Sequence, residues 1–157
     1  MRFLPVLSLL LAVLVCTAPA HALDDALALS GLTSTRAIYD VRTSDEKALQ
    51  FIFKVILDTL DESEQQAVKS RYIVSMRGPT VKLLIRSRLG DPELRKKTAA
   101  LIGELNQRGA RLEACGYALN LFGLEAEDIF EGVHAVGNSI NSLIAYQTKG
   151  YALVPMN

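Results

Sequence analysis

The chain has 157 residues, with 17 basic and 17 acidic side chains, half of its residues hydrophobic and only two cysteines. That length suits one domain. A balanced charge with scattered basic residues lacks the electrostatic footprint of a nucleic-acid binder, so no nucleic-acid partner is expected.

The chain opens with Arg2, an apolar run from Phe3 to Val15, and Ala20-His21-Ala22. A charged start, a short apolar core and an A-x-A site are the parts of a secretory signal peptide. The run is too short to span a bilayer, which takes about 20 apolar residues, so no membrane span is expected. Cys16 follows Val15 rather than a small residue, which argues against a lipid anchor. Residues 1–22 therefore read as a signal peptide, cleaved after Ala22, and the mature protein as periplasmic. Cleavage removes Cys16 and His21 and leaves Cys115 and His134 as the only residues of their types. A single cysteine in an exported domain implies intermolecular pairing or a free thiol.

Residues 23–35 form a poorly periodic lead-in, expected to be partly disordered, and residues 36–157 read as one α/β domain. Ala37 to Val41 is a β-favouring run, the first strand. Thr43-Ser44-Asp45 offers N-cap oxygens for a helix, whose Leu49, Ile52, Phe53, Ile56, Leu57 and Leu60 share one face. Phe51 and Val55 widen that stripe, which fits a deeply packed helix and equally one that faces another subunit. Asp61 to Lys69 reads as a polar connection and Tyr72 to Met76 as the second strand. Arg77-Gly78-Pro79-Thr80 turns into a short helix carrying Val81, Leu84 and Ile85. Backbone N–H groups at such a turn, beside Arg77, suit an anion, although a Gly-Pro turn more often only redirects the chain.

Asp91-Pro92-Glu93 starts a helix with a cap, a first-turn proline and an early acid. Leu94, Thr98, Leu101, Ile102 and Leu105 share its inner face, and Gly109 ends it. Arg111 to Ala114 is the third strand and delivers Cys115-Gly116. Val133 to Val136 is the fourth strand. Asn138 caps a helix with Ile140, Leu143 and Ile144 on one face, and Tyr151 to Val154 is the fifth strand. Strands separated by helices imply right-handed parallel crossovers. The expected fold is a single α/β domain with a roughly five-stranded, mainly parallel sheet and helices on both faces.

Cys115 is the one residue with a pattern that suggests chemistry. It ends a strand, at the sheet edge where α/β proteins bind ligands. Gly116 permits close approach of a substrate or partner to the backbone, and a helix start after it would favour thiolate. Against this stands the habit of cysteine to act as a small buried hydrophobe. His134 sits within a strand pattern, and nothing in the sequence aims it at Cys115. One cysteine and one histidine make a four-ligand zinc site improbable, so no metal is expected. C-x-x-C, G-x-x-x-x-G-K-[ST] and G-x-G-x-x-G are all absent, and no cofactor is expected.

From Leu112 onward the chain resembles the DsrE/DsrF-like family. The residues that carry the likeness are Cys115-Gly116, Gly123-Leu124, Glu127-Asp128-Ile129, Val136-Gly137-Asn138, and Gln147-Thr148-Lys149-Gly150-Tyr151-Ala152 with Pro155. Fainter similarity extends back through Arg77-Gly78-Pro79 to Ala37. The resemblance implies a flavodoxin-like subunit assembled as a homotrimer or hexamer, with a cysteine at the Cys115 position that carries sulfur as a persulfide between donor and acceptor proteins. The candidate site is then Cys115, with Arg77, Gly78, Gly116 and Asn138 as candidates to bind its substrate. The alternative is a non-catalytic oligomeric binding or accessory protein in which Cys115 is structural.

Overall fold

The computed structural model describes residues 25–87 and 91–157. The signal-peptide expectation falls on residues 1–22, outside the described residues.

Five strands form one sheet: β1 (Ser34–Val41), β2 (Lys69–Met76), β3 (Arg111–Cys115), β4 (Val133–Val136) and β5 (Ala152–Met156). They lie in the order β4-β3-β2-β1-β5, and every neighbouring pair is parallel. Parallel neighbours need crossovers, and three of these four run through the helices α2 (Glu46–Gln65), α3 (Pro92–Gln107) and α5 (Ser139–Thr148). A short helix, α1 (Ala26–Leu29), lies in the lead-in, and another, α4 (Gly116–Leu121), follows Cys115 directly.

Side-chain alternation along the strands builds two unequal cores. Ala37, Tyr39 and Val41 of β1 join Tyr72, Val74 and Met76 of β2 against α2 and α3. There Leu49, Phe53 and Ile56 of α2 are almost completely buried, and each contributes about 1.5–3 kcal/mol before entropy is counted. On the opposite face Ile38 and Ile73 meet Leu143, Tyr146 and Tyr151. Among the described residues, α5 is the helix packed on that face, so there the two faces are covered unequally.

Several expected bounds shift. The stretch from Asp61 is not a connection, because α2 continues to Gln65 and Ser63 prolongs its buried stripe. β1 and β2 begin earlier than expected, at Ser34 and Lys69, held by backbone pairing of polar residues. The turn after Arg77 becomes a 3-10 helix, Gly78–Leu84. Phe51 lies exposed on α2, and on α5 only Leu143 of the expected apolar three is buried, with Ile140 and Ile144 at the surface.

Candidate functional site around Cys115

β3 ends at Cys115, which pairs in register with Val136 of β4. The chain turns straight into α4, for which Cys115 is the N-cap residue. Such a turn requires the start of α4 to pass against the β4–α5 connection. A Cβ on Gly116 would stand 2.6 Å from the Val136 carbonyl oxygen, so only glycine lets the two segments meet. The close approach expected at Gly116 is therefore made by the protein's own backbone. The contact is locked by the Tyr117 N–H, which donates to the Gly137 carbonyl at 3.0 Å.

That connection leads into α5, and here a group emerges that the sequence did not single out. Asn138 caps α5, its Oδ1 accepting from the Ile140 N–H at 2.9 Å. The next residue, Ser139, is buried at 1% exposure, and its hydroxyl meets no oxygen or nitrogen partner at hydrogen-bond distance. Cys115 is the group it lies against. Burial pushes the Cys115 thiol pKa up, but the Ser139 hydroxyl, its backbone N–H and those of Ala118 and Tyr117 outweigh this and leave it lowered. Of these, the Tyr117 N–H contributes least, being shared with Gly137. A thiolate accepts hydrogen bonds more strongly than a thiol, which is why these donors favour the charged form. A serine directly after a helix N-cap was the only sequence signal for this role.

Arg77, at the end of β2, adds a positive charge on the neighbouring side. Its guanidinium makes a two-pronged pair with Asp40 of β1, Nε to Oδ1 and Nη2 to Oδ2, both at 2.7 Å. The hydrogen bond to Asp40, opposed by partial burial and aided by the negative field of Asp40 and Cys115, raises the Arg77 pKa. Arg77 is thus committed to a carboxylate rather than open to an anion. Gly78, with φ of 58°, starts the 3-10 helix after it. His134 is exposed on β4 and pairs in register with Glu113, two residues before Cys115.

Cys115 is a free thiol with 5% of its surface exposed. A cavity of about 630 Å³ lined by Arg86, Arg95, Lys96, Asn106, Phe130 and Gly132 lies elsewhere and does not include it. Among the described residues no group of three or more His, Cys, Asp or Glu side chains is placed to hold a metal, and no helix is long and apolar enough to cross a membrane.

Replacing Ser139 with alanine removes one donor to the thiolate and keeps the helix. The thiol pKa should rise, and alkylation of Cys115 at neutral pH should slow roughly tenfold or more, since a hydrogen bond to a charged group is worth about 1.5–3 kcal/mol. An unchanged pH–rate profile would mean that the hydroxyl does not serve the sulfur.

A model of the DsrE/DsrF-like family matches residues 38–156. Among solved structures the fold is similar to MTH1491, a protein of unknown function from Methanobacterium thermoautotrophicum, at TM-score 0.64 and 21% identity over 77% of this chain and 98% of that one. It is also similar to BT1422, a conserved protein of unknown function from Bacteroides thetaiotaomicron, at TM-score 0.52 and 19% identity over 78% and 94% of the two chains. No curated protein matches the chain.

Proposed function

The chain belongs to the DsrE/DsrF-like family, and from that premise we propose that it is an exported, periplasmic sulfur carrier that works through Cys115. The observation that carries this is the buried, unpartnered Ser139 hydroxyl set against a lone sulfur at the carboxyl edge of the sheet. Buried polar groups are normally paired. This one gains a partner when the sulfur becomes an anion.

The chemistry balances without an oxidant. The Cys115 thiolate attacks the outer sulfur of a donor persulfide or polysulfide; the new S–S bond forms as the donor's S–S bond breaks, and the donor leaves as a thiolate. An acceptor thiolate then attacks the outer sulfur of the Cys115 persulfide, and Cys115 is released as the thiolate it began as. Ser139 and the nearby N–H groups stabilise that leaving group. Asn138, whose Oδ1 is occupied by the helix, keeps its amide N–H donors for the incoming sulfur species. Arg77, held by Asp40, supplies a positive field, and Gly116 lets the start of α4 and the β4–α5 connection meet beside the sulfur.

Exposed Tyr117 and Leu121 on α4 and Ile140 and Ile144 on α5 form apolar surface on the two helices that start at the site. A homotrimer or hexamer assembled over this face covers it, and light scattering at working concentration reads the subunit number. Export is read from the amino-terminal residue of protein recovered from cells, Leu23 being expected.

The 5% exposure of Cys115 favours a second reading, an oligomeric accessory protein with a structural cysteine. The two separate on transfer. Protein loaded with polysulfide and freed of excess reagent should pass its sulfur to an added small thiol, and Cys115→Ser should pass none. Equal transfer by both proteins would leave the structural reading standing.

A further inference from the structure

The cavity of about 630 Å³ that lies apart from Cys115 is walled by α3 and by the segments that precede α3 and β4. Lys96, Ala99, Gly103 and Asn106 line it from α3, at spacings that put them on one helix face. That face is distinct from the stripe of Thr98, Ile102 and Leu105 that α3 buries in the core. The walls are fixed by the chain itself. The Asn106 amide donates to the Ile102 carbonyl at 2.8 Å and to the Gly132 carbonyl at 3.0 Å, tying α3 to the segment before β4. The Phe130 N–H donates to the Leu84 carbonyl and the Arg86 N–H to the Asp128 carbonyl, both at 3.0 Å, and Ile85 bridges Ile129. A hollow held open in this way costs little reorganisation to fill. Its volume falls within the roughly 300–1,000 Å³ of small-molecule sites, which are likewise mostly apolar with a few polar groups.

Gly103 has no reason within the protein to be glycine. Glycine weakens a helix interior relative to alanine. A Cβ built at Gly103 meets nothing within 4 Å, and its φ is not in the left-handed region. What the missing side chain provides is room in the cavity. The charge around that room is one-sided. Arg86 and Lys96 are exposed, and neither is ion-paired among the described residues. Arg86 Nη2 donates to the Glu127 carbonyl at 2.8 Å, which positions the guanidinium and leaves its charge. Arg95 adds a third cation, and Glu131 is the one acid among the described lining residues.

We propose that this cavity binds a small organic anion. Its apolar or aromatic body fills the space beside Ala99, Gly103 and Phe130, and its carboxylate, sulfonate or phosphate meets Arg86 and Lys96. The site is separate from Cys115 and stands whether or not that thiol carries sulfur.

The test uses a probe of that class, anilinonaphthalene sulfonate, and its uncharged counterpart phenylnaphthylamine. Both are titrated by fluorescence against the wild-type chain, Gly103→Ala, Gly103→Leu and Lys96→Gln, each first shown to be folded by circular dichroism. The wild-type chain should take one sulfonate, bound about tenfold tighter than the neutral probe, the worth of a charge-assisted hydrogen bond. Gly103→Ala should keep that affinity, and Gly103→Leu, which fills the space, should lose about tenfold or more. Lys96→Gln should weaken the sulfonate about threefold and leave the neutral probe unchanged. Equal affinities for the two probes, or sulfonate binding indifferent to Gly103→Leu, would put the probe on other apolar surface and overturn the proposal. A fall in subunit number of Gly103→Leu by light scattering would also overturn it, since a second copy would then fill the cavity. So would wild-type binding to phosphatidylglycerol vesicles that is lost in Gly103→Leu, which would make the anion a lipid headgroup at a membrane surface.

Discussion

Asp40→Ala should destabilise the fold by about 2–4 kcal/mol and at the same time make Cys115 more reactive. Asp40 and the Arg77 guanidinium are mostly buried, with side-chain exposures of 11% and 23%. Removing one partner of a buried pair strands the other, which costs about 3–5 kcal/mol in full burial and less where water reaches the survivor. The midpoint of thermal unfolding should drop by roughly 10 °C. Meanwhile the stranded guanidinium keeps its charge beside the sulfur without a carboxylate to cancel it. An opposite charge favours thiolate, so alkylation at neutral pH should accelerate while stability falls. Loss of stability with an unchanged or slower thiol would show that Arg77 does not act on Cys115.

Gly116→Ala should be the second large effect, and its sign runs against the usual rule. Within a helix alanine normally gains roughly 0.5–1 kcal/mol over glycine. Here the added Cβ meets the Val136 carbonyl at 2.6 Å, with the Gly137 carbonyl at 3.4 Å behind it. Both obstacles are backbone, so α4 must move away from the β4–α5 connection. Overpacking of this kind costs about 1–3 kcal/mol. The same movement stretches the Tyr117–Gly137 hydrogen bond and withdraws Ala118 and Ser139 donors from the sulfur. Sulfur loading should slow about tenfold, consistent with a thiol pKa raised by about one unit. Chemical denaturation checks the first effect and loading kinetics the second; a Gly116→Ala protein as stable and as fast as wild type would mean that the tight crossing is not needed.

The parts of this fold that were legible in the sequence are those fixed by local chemistry. The caps at Asp45, Asp91 and Asn138 all form, each side chain accepting a first-turn backbone N–H. The amphipathic face of α2 places Leu49, Phe53 and Ile56 in the core as its spacing implies. Parallel order follows from helices lying between strands. What stayed hidden depends on chain segments that meet only after folding. The polar beginnings of β1 and β2 are strands because Ser34 and Lys69 pair with each other, which no hydrophobic pattern signals. Asp61, Glu62 and Glu64 mask the end of α2, although Leu60 and Ser63 continue its buried stripe.

The site divides along the same line. Cys115 stands out because cysteine at a strand's end is visible in one dimension, as are its neighbour Gly116 and the cap Asn138. The groups that tune it are not. Asp40 reaches Arg77 from a strand 37 residues away in sequence, and Ser139 reaches Cys115 only because β4 lies beside β3. Glu113, on the same short strand, is buried and accepts from the Tyr146 hydroxyl of α5. Electrostatic tuning is a property of assembled neighbours, so it escapes any search by motif.

The most direct test of the carrier proposal is the intact mass of the native protein after brief exposure to polysulfide, with Cys115→Ser treated alongside. The proposal predicts a wild-type adduct of whole sulfur atoms that an added thiol removes, and none on the variant. Native wild-type protein that gains no sulfur, yet is modified at Cys115 once unfolded, would contradict it and leave the cysteine as part of the core.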